Sequence, residues 1–391
     1  MVYLVAPGVA LIALTYGLAR FAYGLFLPEM REAFGLSSSV LGVIGAGSYA
    51  GYCVAVVVSL VYTARTGPRF MAVAAGVVAV VGMAAVAVAP AAWTLALGVL
   101  VAGSSTGLAS PPMAEAVSRA IRKDLQDRAN TLINCGTGVG VALSGPAALV
   151  LAGQWRVAWA VFAAVGIAVL LWNAAVVPGK PAGEERDAGG NEEREAPRLT
   201  FSYLVGPRSL PLFAAAILVG VASAAYWTFS RDLVSGVGGL TSTGSTLFWT
   251  VIGVSGLAGG AAGDLARRWG LTTVLRVSLL SMAASIALLA VAPGALVLSY
   301  LSAALFGSTY IMLTGIVLVW SVAVFHDRPS AGTGIGFLLI AAGQAAGSPA
   351  VGALAGATDL TTAFLASAAM AVAAACLKPY SRDAIPGSDR P

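Results

Sequence analysis

Apolar blocks of about 20 residues recur along the chain, set apart by short breaks rich in charge, glycine or proline. Stretches such as MAVAAGVVAVVGMAAVAVA (Met71 to Ala89) do not alternate between apolar and polar positions. A helix rising 1.5 Å per residue needs about 20 apolar residues to cross about 30 Å of hydrocarbon. A barrel strand would instead alternate over about 10 residues. The pattern therefore predicts helical spans at roughly 8–30, 39–62, 70–90, 93–117, 130–151 and 156–177. A second set follows at roughly 209–230, 241–263, 271–292, 295–320, 331–356 and 361–377. Between the sets, PGKPAGEERDAGGNEEREAPR (Pro178 to Arg198) has too little apolar surface to fold by itself and reads as a linker. The expected plan is an all-α polytopic membrane protein: a bundle over 1–177, a linker over 178–208, a second bundle over 209–378 and a tail over 379–391.

The halves share a register. GLARFAYGLFLPEM from Gly17 aligns with GVASAAYWTFSRDL from Gly220, a shift of 203 that also pairs Tyr23 with Tyr226, Phe26 with Phe229 and Glu29 with Asp232. The same shift places Gly67 on Gly270, Ser105 on Ser308, Thr106 on Thr309 and Pro146 on Pro349. Two homologous bundles of six helices, facing each other, can open a site between them to either side of a membrane.

Composition agrees. Hydrophobic residues make up 58% of the 391 and charged residues 10%, against about 25% charged in a soluble domain. The net charge of +5 raises nucleic acid as a partner, but topology accounts for it. With both ends cytoplasmic, all but four of the 22 Lys and Arg lie on the cytoplasmic side, the exceptions being Arg20 in a span and Arg31, Arg156 and Arg231 in outer loops. No basic patch remains for nucleic acid. Met1 to Met30 lacks a basic leader and a cleavage-type site, so it reads as a retained first span in a plasma membrane such as a bacterial inner membrane. The three cysteines, Cys53, Cys135 and Cys376, show no metal or redox spacing and read as buried thiols. The sole histidine, His326, has no neighbours that would build a hydrolase or a metal site, which argues against an enzyme and for no cofactor.

The 6+6 plan, the charged linker and the short basic loop after the second span of each half resemble the major facilitator superfamily. That family's loop motif is Gly-x-x-x-Asp-Arg-x-Gly-x-Arg/Lys. The first half keeps Arg65, Gly67 and Arg69 but has Leu60 and Ala64 at the Gly and Asp positions; the second keeps Gly263, Arg268 and Gly270, with Asp264 displaced and Arg267 in the Asp position. The resemblance implies a cytoplasmic latch there, although these arginines also serve simply to set topology. GTGVGVALSGP (Gly136 to Pro146) is similar to the Gly-x-x-x-Gly-Pro pattern of the antiporter branch, with Val141 in place of its first glycine. The arginine that many members carry early in the fourth span is absent. A monomer, with its site inside one chain lined by the first, fourth, seventh and tenth helices, is the family expectation.

One residue demands an explanation. Arg20, in YGLARFAYG, sits mid-span, where a cation costs about 2.5–3.5 kcal/mol on insertion scales. Helical spacing places Tyr16, Tyr23, Gly24 and Leu27 beside it, with Ser223, Tyr226 and Ser230 on the facing helix. Hydroxyls of Ser105, Thr106, Ser308, Thr309 and Tyr310 stand at matching depth. Three compensations are open: an anionic group on the substrate, a gating pair with Glu115, or a structural role among backbone carbonyls near Pro111 and Pro112, water and tyrosine faces. Glu115 is also the best candidate for a proton site, although Arg119 one turn on is its expected partner. Trp227, Trp249 and Trp320 read as interface anchors, and Gln344 and Asn134 as interhelical hydrogen bonds. The leading functional expectation is a secondary transporter for a small organic anion. Efflux of amphipathic drug-like compounds comes second, and a membrane receptor or enzyme comes behind both. The coupling ion is unassigned, a proton being one option.

Overall fold

The computed structural model describes residues 2–151, 154–179, 206–325 and 329–377. Residues 180–205 of the expected linker, the tail over 379–391 and His326 lie outside these. Every described element is a helix. Eleven are long and apolar enough to cross a membrane, and a shorter apolar helix, Leu360–Ala375, completes twelve.

Helix α1 runs as three continuous pieces, Val2–Ile12, Ala13–Phe21 and Ala22–Phe34. It is followed by α2 (Ser38–Thr66), α3 (Pro68–Ala87), α4 (Ala92–Ala120), α5 (Lys123–Asn134 and Gly136–Val150) and α6 (Trp155–Val176). The second set comprises α7 (Leu210–Asp232, continued by Leu233–Val237), α8 (Ser242–Gly256 and, after a 3₁₀ turn, Ala262–Trp269), α9 (Leu271–Val291), α10 (Leu296–Val324), α11 (Pro329–Ala357) and α12 (Leu360–Ala375). Several helices extend beyond the spans expected from hydropathy. Their amphipathic ends, such as Lys123–Asn134 and Ala262–Trp269, carry charge that a hydropathy window excludes. Arg31 and Arg231, expected in outer loops, are in the last turns of Ala22–Phe34 and Leu210–Asp232.

The helix ends follow local chemistry. The Ser37 hydroxyl caps α2 by accepting from the Val40 N–H, and Asp359 caps α12 by accepting from the Thr362 N–H at 2.8 Å. Gly67 and Gly270 make the two-helix turns α2–α3 and α8–α9, with φ 84° and 82° and ψ 160° and 146°. That corner of backbone space is essentially open only to glycine. The shared register of the sequence is thus a shared backbone conformation.

The halves form two pseudo-symmetric six-helix bundles. Phe26, Trp159 and Phe162 centre the first, and Tyr226, Phe248, Phe306 and Phe364 the second, all buried. The outward faces carry exposed Val54, Val43, Phe70, Leu97, Val150, Leu171 and Val297. So much apolar surface is stable against lipid and a liability in water. Small residues bring helices close: Gly17 of α1 abuts Gly140 of α5, and Gly220 of α7 abuts Gly343 of α11, neither with room for a Cβ.

Candidate functional site

Arg20 is held where α1 departs from α-helical winding. Over Ala13–Phe21 the helix widens, and the Ala22 N–H donates to the Gly17 carbonyl, five residues back. Widened turns of this kind recur at functional sites. The Gly17–Gly140 crossing fixes the helix one turn before Arg20.

Arg20 is 6% exposed, and its guanidinium is surrounded by rings. Its carbon lies 4.7 Å from the centre of Tyr52, 4.8 Å from Tyr49, 5.2 Å from Phe21 and 5.8 Å from Tyr16. Nη2 donates to Gln344 Oε1 at 2.7 Å, reaching from one bundle to the other. Gln344 Nε2 in turn donates to the Tyr310 hydroxyl at 3.1 Å and to Ser223 Oγ at 3.4 Å. Nε is buried without an acceptor. Among the described residues Arg20 has no acidic partner. A charged hydrogen bond of about 1.5–3 kcal/mol, with about 0.5–2 kcal/mol from each well-placed ring, offsets an insertion cost of about 2.5–3.5 kcal/mol.

Four of the residues expected at the site therefore meet: Arg20, Tyr16, Ser223 and Tyr310. Tyr16 shares a hydrogen bond with Ser110 at 2.9 Å and sets its ring edge-on to Tyr52. Tyr23 and Tyr226 turn elsewhere. The Tyr23 hydroxyl donates to the Leu41 carbonyl, while Tyr226 stacks on Phe306 at 3.8 Å and shares a hydrogen bond with Ser302 at 2.7 Å inside its own bundle. Ser105, Thr106, Ser308 and Thr309 bond back to carbonyls of their own helices. Tyr49 and Tyr52 were missed because they come from α2, outside the four helices taken to line the cavity. Gln344 is the interhelical hydrogen-bonding residue expected, and its partner is the arginine.

The tryptophans correct the sequence reading. Trp227, Trp249 and Trp320 are interior, at 3%, 0% and 2% exposure, rather than interface anchors. Trp227 stacks on Phe21 at 3.9 Å, meets Tyr310 edge-on at 5.1 Å, and lies against Gly24, which leaves no room there for a side chain. Position along a span gives depth; it does not say which side of the helix faces protein.

At the face opposite the start of α1, the bundles are tied by crossed ion pairs. Arg31 of α1 reaches Asp232 of α7 at 2.7 Å, and Arg231 of α7 reaches Glu29 of α1 at 2.6 Å. Arg231 also donates to the Leu25 carbonyl and, at 3.4 Å, to Thr246. Gly42 and Gly45 of α2 press against Ser348 of α11 beside this closure. Glu115 pairs with Arg119 at 2.7 Å one turn on, away from Arg20. In the loop motifs, Arg65 and Arg268 are exposed, Gly67 and Gly270 make the turns, Gly263 faces open space, and Asp264 pairs with Arg267. Arg69 donates to the Val177 carbonyl at 2.6 Å, clamping the end of α6. No group of His, Cys, Asp and Glu among the described residues has the makings of a metal site.

Solved structures share this architecture. The nucleoside transporter NupG superposes with a TM-score of 0.73 at 15% identity, covering 96% of each chain. A bacterial homologue of the human lysosomal transporter Spinster, inward-facing and unoccupied, gives 0.76 at 14% identity over 96% of this chain and 95% of that one. Its occupied form gives 0.73 at 14% identity. Comparison with curated protein sequences gives no significant match. The profile of the Major Facilitator Superfamily matches residues 9–340. With twelve apolar helices in two related bundles behind that match, the chain belongs to the major facilitator superfamily, as an integral membrane transporter and not an enzyme.

Proposed function

We propose that this transporter carries a small organic anion, with a carboxylate as the group gripped by Arg20. The observation that carries the reading is a buried guanidinium whose described partners are all neutral: one amide and four rings. A carboxylate complements the free edge of a guanidinium in charge and in geometry. Movement would follow from alternating exposure of this site, with the Arg31–Asp232 and Arg231–Glu29 pairs holding one face shut in the state described. The surplus of Lys and Arg on one side supports cytoplasmic chain ends in a bacterial inner membrane.

Export of amphipathic compounds is the second reading, favoured by the aromatic walls. The fifth-span glycines do not favour it. Gly138 and Gly145 face Gly253 and Thr250 of α8, a packing role that suits transport in either direction.

Purified protein in liposomes tests the anion reading. Wild type should take up a labelled carboxylate saturably, Arg20→Gln should lose that uptake with its melting temperature retained, and Arg20→Lys should recover little, because an ammonium lacks the planar fork. Equal carboxylate affinity in Arg20→Gln would sink the reading.

A further inference from the structure

We infer that the groove between α3 and α4 binds an anionic phospholipid, with an acyl chain in the groove and the phosphate on Arg156. The inference is independent of what Arg20 grips. The groove, about 290 Å³ in volume, starts at the α3–α4 turn of Val88, Ala89 and Pro90 and runs down to Val81 and Val101. Val101 is nine residues into α4, a depth of about 14 Å at 1.5 Å per residue. That is about half of a hydrocarbon core of about 30 Å, the depth of one leaflet. The two helices touch closely, Gly82 against Ala102 and Gly98 against Val86, with no room for a Cβ at either glycine. The small residues Ala85 and Gly98 leave the hollow, and Val81, Val88 and Leu97 stand more than half exposed along it. Its one polar side chain, Thr94, is already satisfied: the hydroxyl donates to the Ala91 carbonyl at 2.6 Å and accepts from the Ala91 N–H at 3.1 Å. Such a lining, in a wall that faces lipid, takes a hydrocarbon chain rather than a polar solute.

The mouth of the groove supplies the charge. Exposed Trp93, beside the α3–α4 turn, marks headgroup depth. Arg156, exposed at the start of α6, reaches the same turn: its Nη2 donates at 2.9 Å to the carbonyl of Ala89, a residue that lines the groove. Its guanidinium carbon stands 4.1 Å from the centre of Trp155 and 5.5 Å from that of Phe34. These contacts fix the cation at the mouth without neutralising it. At this face Arg31 and Arg231 are paired with Asp232 and Glu29, whereas Arg156 has no acidic partner among the described residues, nor is it paired with Glu32. The N–H groups not used on Ala89 suit the oxygens of a phosphate diester. A lipid of net negative charge is favoured over a zwitterionic one, whose ammonium would stand beside an unneutralised guanidinium.

The test titrates purified full-length protein in detergent with dioleoyl phosphatidylglycerol or dioleoyl phosphatidylcholine and reads retained lipid by native mass spectrometry. Wild type should hold phosphatidylglycerol about fivefold more tightly, the equivalent of about 1 kcal/mol for one cation at a lipid surface. Arg156→Gln should remove that preference, and Arg156→Lys should keep part of it. Ala85→Phe, which fills the hollow, should weaken retention of both lipids. A benzophenone side chain at Leu97 locates the site. In vesicles holding equal amounts of the two lipids it should capture phosphatidylglycerol preferentially, and Arg156→Gln should level the capture. Equal retention of the two lipids by wild type, a preference that survives Arg156→Gln, or level capture at Leu97 in wild type each overturns the inference. Displacement of phosphatidylglycerol by glycerol phosphate does so too, since the site would then be one for soluble phosphates. The wild-type comparison decides the matter even where Ala85→Phe does not fold.

Discussion

Arg20 and Gln344 are 324 positions apart in sequence and joined by a 2.7 Å hydrogen bond across the two bundles. Gln344 follows Gly343, the residue that packs on Gly220, as Val141 follows Gly140, which packs on Gly17. One half thus carries the arginine on its first helix. The other half carries, on its fifth helix, the amide that meets it.

That relationship gives the first prediction. Gln344→Glu would supply Arg20 with a resident anion, so carboxylate affinity should fall at least about tenfold while the melting temperature holds or rises. Gln344→Leu should instead destabilise by about 1–3 kcal/mol, because a buried donor loses its acceptor. Thermal melts alongside liposome uptake separate the two; higher carboxylate affinity in Gln344→Glu would contradict the site assignment.

The crossed pairs at the closed face give the second. Arg231→Met leaves Glu29 half-buried without its partner, at a cost on the order of 3 kcal/mol to the closed state. A cysteine introduced at Ser230, in a background lacking Cys53, Cys135 and Cys376, should then react faster with an impermeant maleimide added from that face. The exchanged pair Glu29→Arg with Arg231→Glu should slow it again. Unchanged labelling would mean that these pairs do not hold the face shut.

The turn glycines give the third. Gly67→Ala and Gly270→Ala should each destabilise by about 1–3 kcal/mol, since both need a backbone region that a Cβ penalises. Gly263→Ala, in a helix and with open space at the Cβ position, should be neutral or gain up to about 1 kcal/mol. Denaturation midpoints of the three variants suffice to check this.

Glu115 gives the fourth. It is 38% exposed and paired with Arg119 one helical turn away, an arrangement worth about 0.3–0.5 kcal/mol. Glu115→Gln should therefore leave the pH profile of uptake in place. A profile that flattened in this variant would make Glu115 the coupling residue after all, and would return the proton to the transport cycle.

Sequence alone determined the apolar spans, the repeat and the arginine in the first helix. Hydrocarbon imposes a length and a polarity on each segment separately, and both can be read from neighbours in the chain. The repeat was legible because each half folds by the same helix crossings, so Gly17 and Gly220 or Gly67 and Gly270 are constrained alike. Only the tertiary structure decided what Arg20 touches. Helical periodicity says which residues share a face and nothing about the helix opposite, so Gln344, Tyr49 and Tyr52 could not be assigned to it. The same limit hid the burial of Trp227 and the pairing of Glu29 with Arg231. Tyr23 and Tyr226 occupy matched positions in the repeat, yet each turns into its own bundle. A pseudo-twofold axis repeats the packing inside the bundles. Arg20 and Gln344 meet between them, where the two halves present different residues.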